Sequence, residues 1–196
     1  EAACGTGRYL EHLQSRFEVE GFDISPTILA AARERLPDVP LHEADFTSVD
    51  LGRTFDVVVC LFSSIGYARG VRAQSRAVRR LAAHLTPGGI LVIEPWFSAE
   101  EYHSDTVHST ISQGDELHVA RMVTSKRRGR ASVLDLHHLV GTRHATRHFL
   151  ERHELWMFTS DEYREAIERA GLEITYDARG LIDRGLWFGR RAPTGR

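Results

Sequence analysis

Cysteine and lysine are scarce in this sequence, and it contains no long apolar run. Cys4 and Cys60 are its only cysteines among 196 residues. Two thiols are too few for a disulfide scaffold and fit a reducing cytoplasm, the expected location. No stretch approaches the roughly 18 consecutive apolar residues of a bilayer-spanning helix. Neither sign of charge dominates: the formal net charge is -2, which gives nucleic acid and membrane surfaces no field to answer. Lys126 is the only lysine, which reads as the codon bias of a GC-rich bacterial genome rather than as function. An initiator methionine is missing too. The chain opens at Glu1 inside a glycine loop, and we expect an N-terminal piece to precede it. What is plentiful is apolar residue, 42% of the chain, enough for one domain with a core.

The first half alternates short apolar runs with helical stretches. FEVEGFDI, residues 17–24, reads as a strand ending at an acid. Ser25 then caps a helix with Pro26 in its first turn, an apolar face of Ile28, Leu29, Ala32 and Leu36, and Pro37 as its stop. Residues 40–43 read as a short strand, and 55–62 (FDVVVCLF) as a central parallel strand buried on both faces. A helix over 74–85, a turn over 86–89 and a buried strand over 90–93 follow. This order predicts an α/β fold, a doubly wound, mostly parallel Rossmann-like sheet whose ligands sit at the carboxyl ends of its strands. From His103 to Phe158 polar and apolar residues alternate, with Gly114 and Gly129 at turns. Residues 98–158 are therefore expected to form an antiparallel β insertion over the active-site mouth. A helix capped by Ser160 and stopped by Gly171, then strands over 172–176 and 185–189, complete a single domain of residues 1–196.

The glycine loop reads Gly5-Thr6-Gly7-Arg8-Tyr9-Leu10. A dinucleotide fingerprint needs a third glycine where Leu10 stands, so NAD is the weaker alternative. An acid, Glu1, lies four residues upstream of Gly5 and suits a zwitterionic ligand, accepting from the ammonium of a methionine moiety. Asp23, at the end of the next strand, can accept both ribose hydroxyls of an adenosine. Asp45 can accept from the adenine amine, with Phe46 beside its ring and Leu61 and Phe62 covering the other face. Ala3 and Ile24, beside the loop and the strand-end acid, join this set. The ligand these spacings predict is S-adenosyl-L-methionine (AdoMet), leaving as S-adenosyl-L-homocysteine.

Ala3-Cys4-Gly5-Thr6-Gly7, Gly21-Phe22-Asp23-Ile24-Ser25, Phe62-Ser63-Ser64-Ile65-Gly66-Tyr67, Glu94-Pro95-Trp96-Phe97 and Arg184-Gly185-Leu186-Trp187-Phe188-Gly189 together resemble class I AdoMet-dependent methyltransferases. More narrowly, the chain resembles the amino-sugar N,N-dimethyltransferases of antibiotic biosynthesis, which act on dTDP-linked sugars leading to desosamine or mycaminose. The resemblance implies a helical lid and the start of the first strand upstream of Glu1. Phe97 departs from the family's second tryptophan after EPW. The implied reaction is transfer of methyl to a sugar amine by in-line displacement. The alternatives are a small amine or another natural-product scaffold as acceptor, or a cofactor-binding module without turnover.

Such a displacement needs alignment and a neutral amine more than a strong acid or base. Tyr67 is expected to orient the amine; a tyrosine, with an ordinary pKa of about 10, is a poor base at neutral pH. Glu94 is the other catalytic candidate, pairing with the amine or with an arginine. Trp96 and Phe97 are expected to wall the substrate pocket, and Arg184 to hold the pyrophosphate. No metal is expected: His137 and His138 are strand neighbours pointing to opposite faces, and His144, His148 and His153 add no spaced set. Lys126-Arg127-Arg128 sits in a hairpin, read as a solvated turn rather than a nucleic-acid contact. Ser63 and Ser64 lack a nucleophile elbow. The expected partners are a small-molecule substrate and, at most, a second copy of the chain in a homodimer.

Overall fold

A computed structural model describes residues 1–194. In chain order the elements are α1 (Arg8–Leu13), β1 (Gly21–Asp23), α2 (Pro26–Arg35), β2 (Leu41–Glu43), β3 (Phe55–Cys60), a 3-10 turn (Ser64–Tyr67), α3 (Val71–Ala83) and β4 (Leu85–Ile93). They continue with β5 (Val107–Gln113), β6 (His118–Arg128), β7 (Ala131–Gly141), β8 (Thr146–Trp156), α4 (Ser160–Arg169), β9 (Leu172–Asp177) and β10 (Leu186–Arg191). They divide into two compact units, one of residues 1–96 with 158 onward, the other of residues 97–157.

In the first unit β1 pairs with β2 and β3 with β4, both parallel. β10 and then β9 add antiparallel beyond β4. The stub at Ala2 joins the two groups of strands: it bridges to Phe22 in parallel, and its N–H donates to the Val59 carbonyl at 2.8 Å. Strand ends at Asp23, Glu43, Cys60 and Ile93 therefore open toward the same side, as the α/β reading requires.

Local chemistry accounts for the helices. The Ser25 hydroxyl accepts from Ile28 N–H, and Pro26 begins α2 with its φ already helical. Leu29 and Leu36 are buried against Cys4 and Leu10, and Ala32 is buried as well. Ile28 is exposed, on the flank of the helix rather than on its apolar face. α4 is capped by Thr159, one residue before the expected Ser160: Thr159 accepts from Glu162 N–H while the Glu162 carboxylate accepts from Thr159 N–H. Where α3 passes into β4, the Arg191 guanidinium donates to the carbonyls of Ala82 and Leu85 at 2.9 and 2.8 Å.

Three strands differ from their expected form. β1 is only three residues long, because the chain after α1 turns back on Leu13 through Arg16 and Phe17, leaving Phe17 63% exposed. β3 is not buried on both faces. Its amino half borders a groove of about 550 Å³ lined by Leu13, Val19, Phe55, Val57 and Leu81, and among the described residues nothing covers Val57, 54% exposed. The expected turn over 86–89 is instead an irregularity inside β4, with the register shifting opposite Phe55–Val57. Gly89 allows it, since a Cβ there would meet the Thr86 carbonyl oxygen at 2.9 Å.

The second unit is an antiparallel meander, β5-β6-β7-β8. Gly129, with φ of +60°, turns β6 into β7, and Thr142 with Ala145 closes the β7–β8 hairpin. Arg152 donates to Asp135 through two parallel hydrogen bonds of 2.6 and 3.0 Å across paired positions. His137 and His148 stack on neighbouring strands, with Nδ1 and Nε2 3.0 Å apart. No helix among the described residues is long and apolar enough to cross a membrane.

Candidate methyl-transfer site

The glycine loop bends sharply between Ala2 and α1. Ala3, Gly5 and Gly7 all take left-handed φ, at +52°, +56° and +75°. Gly7 has no room for a side chain, because a Cβ would lie 2.6 Å from Leu36 Cδ1. At Gly5 the Cβ direction meets no protein atom within 4 Å, so the loop's backbone presents an open face there. Asp23, buried at the end of β1, ties this loop down: Oδ2 accepts from Gly5 N–H at 2.9 Å and Oδ1 from Ser25 N–H at 3.0 Å. Each oxygen keeps a second lone pair for a ligand hydroxyl.

Glu1 sits close enough to feel Asp23. Burial chiefly, with the Asp23 charge adding, pushes its carboxyl up to about 7. Asp45 follows β2 and organises its own turn, Oδ1 accepting from Thr47 N–H at 2.6 Å. Ile24 is exposed beside Asp23, while Phe46 and Leu61 are half-buried near the ends of β2 and β3. The structure thus brings Glu1, Ala3, Gly5 and Asp23 together; Asp45, Phe46 and Leu61 stand at the neighbouring tips.

The second group of residues is held by contacts among its own members. Glu94, after β4, is 1% exposed. Its Oε2 accepts from Phe62 N–H at 2.7 Å, and its Oε1 from Arg184 Nη2 at 3.2 Å. The Arg184 guanidinium also lies over the Trp96 ring, 5.4 Å from its centroid. Glu94, expected to pair with the amine or with an arginine, pairs with Arg184, the residue expected at the pyrophosphate. Phe62 and Ser63 both have left-handed φ, and Ser63 Oγ donates to the Pro95 carbonyl at 2.7 Å. Tyr67 closes the 3-10 turn and is exposed. Phe97 begins the second unit, its ring against Tyr102.

Residues 1–89 match the family described as a methyltransferase domain. Over 191 residues the chain is 38% identical to the dTDP-3-amino-3,6-dideoxy-alpha-D-glucopyranose N,N-dimethyltransferase of Streptomyces fradiae, covering 96% of this chain and 75% of that one. The chain belongs to this family of AdoMet-dependent methyltransferases. The dTDP-3-amino-3,4,6-trideoxy-alpha-D-glucopyranose N,N-dimethyltransferase of Streptomyces venezuelae is also 38% identical over 191 residues, 96% of this chain and 81% of that one. Among solved structures, Streptomyces venezuelae DesVI matches the methyltransferase with TM-score 0.93 and 38% identity over 97% of this chain and 82% of its own. An AdoMet-bound amino pentose methyltransferase from Micromonospora echinaspora, involved in calicheamicin biosynthesis, matches with TM-score 0.88 and 40% identity, over 97% and 81% of the two chains.

The loop fits that methyl donor. Gly5 leaves the space a Cβ would fill, and two acids, the half-buried Glu1 and the buried Asp23, line its edges. Among the described residues no group of three or more His, Cys, Asp or Glu could hold a metal ion.

One residue, Tyr9, escaped the sequence reading of the methyltransferase site. Phe62 is 68% exposed at the strand tips, and the Tyr9 ring stands 6.4 Å from it. Tyr9 senses Glu94, Glu1 and Arg184: burial first, then the two acids, raise its hydroxyl pKa, with Arg184 opposing. A faint signal existed, since Tyr9 lies two residues past the second glycine, on the first turn of α1.

Proposed function

We propose that the protein transfers methyl groups from AdoMet to the amine of a dTDP-linked deoxy amino sugar. The observation that carries this reading is 38% identity, over 96% of the chain, to enzymes named for that chemistry. AdoMet supplies an electrophilic methyl on a sulfonium. Glu1 accepts from the ammonium of its methionine end, with Ala3 and Gly5 exposing backbone along it. Asp23 accepts from the ribose hydroxyls, assisted by the backbone at Ile24. Asp45 accepts from the adenine amine, and Phe46 and Leu61 cover the ring.

On the acceptor side, Tyr67 orients the amine with its lone pair toward the methyl, and Trp96 and Phe97 wall the sugar. Holding the two reactants in contact converts a bimolecular encounter into a unimolecular step, an effect that in oriented systems reaches about 7–11 kcal/mol. No residue needs to become a strong base, because an amine with an ordinary pKa is partly neutral at working pH.

The test offers AdoMet with a panel of dTDP-amino sugars, free amino sugars and small amines, and follows S-adenosyl-L-homocysteine release. Release with the dTDP-linked acceptors supports the reading; release with small amines alone moves the assignment to that class.

A further inference from the structure

Glu94 is a buried carboxylate with both oxygens occupied by protein: the Phe62 amide at 2.7 Å and the Arg184 guanidinium at 3.2 Å. A buried charge is tolerated where it is paired and hydrogen-bonded, and this one is paired from two segments distant in sequence. Its own N–H donates to the Cys60 carbonyl, so the end of β4 is tied to the end of β3 as well. The atom it grips is the amide of a residue held at φ +53°, followed by Ser63 at +60°, which Pro95 anchors through the Ser63 hydroxyl. Left-handed φ at a phenylalanine is disfavoured and persists only where its surroundings enforce it. The outcome of the enforcement is an aromatic ring standing in solvent at the strand tips beside Tyr9.

We propose that Glu94 and Arg184 are positioning residues: together they latch the chain at Phe62, so that its ring forms an apolar wall of the methyl-transfer site, and Glu94 takes no proton from the substrate. The inference rests on the methyl-transfer reading for its consequence, though not for its geometry. Arg184 acts through Glu94, holding its carboxylate toward the amide while its own plane rests on Trp96. Loosening the latch releases Phe62 toward ordinary backbone conformations and lets water reach the site.

The first experiment needs no ligand. Amide hydrogen exchange at Phe62, read by NMR on the whole protein, should accelerate about tenfold or more in E94A, and by a smaller factor in E94Q and R184M. E94Q and R184M nearly conserve volume, so they keep the test valid if E94A does not fold. In turnover assays E94Q and R184M should each lower kcat about tenfold, and the double variant should lose little more than the worse single one. The pH profile of kcat/KM should keep its shape in E94Q. Unchanged exchange at Phe62 in E94Q and R184M overturns the proposal, as does loss of the acidic limb of the profile, which would make Glu94 a base. Faster exchange in a protein that methylates no amine leaves the latch standing and removes the reaction assigned above.

Discussion

The Gly5 amide donates to Asp23 Oδ2 at 2.9 Å, so the glycine loop and the end of β1 are one unit rather than two neighbours. Asp23 also accepts from Ser25 N–H, at the cap position of α2. A single buried carboxylate thereby sets the loop, the strand tip and the start of a helix.

Asp23→Ala should accordingly weaken AdoMet binding by about 1–3 kcal/mol, since two amides and the ribose lose their acceptor together. Calorimetric titration of the variant checks it. Affinity equal to wild type would remove Asp23 from the binding set.

The two loop glycines should separate stability from binding. Gly7→Ala puts a methyl 2.6 Å from Leu36 Cδ1 at φ +75° and should cost about 1–3 kcal/mol of stability. Gly5→Ala meets open space, so its folding cost should be only about 1 kcal/mol of left-handed strain, with a larger loss in AdoMet affinity. Urea unfolding and AdoMet titration of both variants decide it; equal loss of stability in the two would contradict the geometry.

Cofactor affinity should depend on pH through Glu1. Its carboxyl is pushed up to about 7, and only the ionised form attracts an ammonium. Affinity should therefore hold above pH 7 and fall as pH drops through it, approaching about tenfold per unit. Bound ammonium favours the carboxylate, so binding near pH 7 should release a proton, measurable by titration in buffers of different ionisation enthalpy. A flat profile from pH 6 to 8 would show that Glu1 does not meet the ammonium.

The two thiols should be inert in the native protein. Burial lifts both Cys4 and Cys60 to about 12, and thiolate is the reactive form. Neither should label with a thiol reagent at pH 8 until denaturant is added. Fast labelling of Cys4 without denaturant would mean that the loop opens.

Much of the first unit could be read from residue pattern. Pro26 behind Ser25, and an apolar face at Leu29, Ala32 and Leu36, are local signals that the structure keeps. Errors fell where contacts from other segments overrule local preference. The cap of α4 is a local exception: Ser160 was expected there, and the reciprocal bonds between Thr159 and Glu162 set the cap one residue earlier. Residues 86–89 have turn chemistry, yet pairing with β3 absorbs them into a strand.

The same division runs through the site. Spacing along the chain was enough to bring Gly5, Gly7 and Asp23 to one place, because strand-then-loop connectivity carries each of them to a carboxyl end. The partnership of Glu94 with Phe62 and Arg184 spans 32 and 90 residues of sequence and has no periodicity to betray it. It exists because burying a carboxylate demands donors, and only the packed fold determines which donors are within reach.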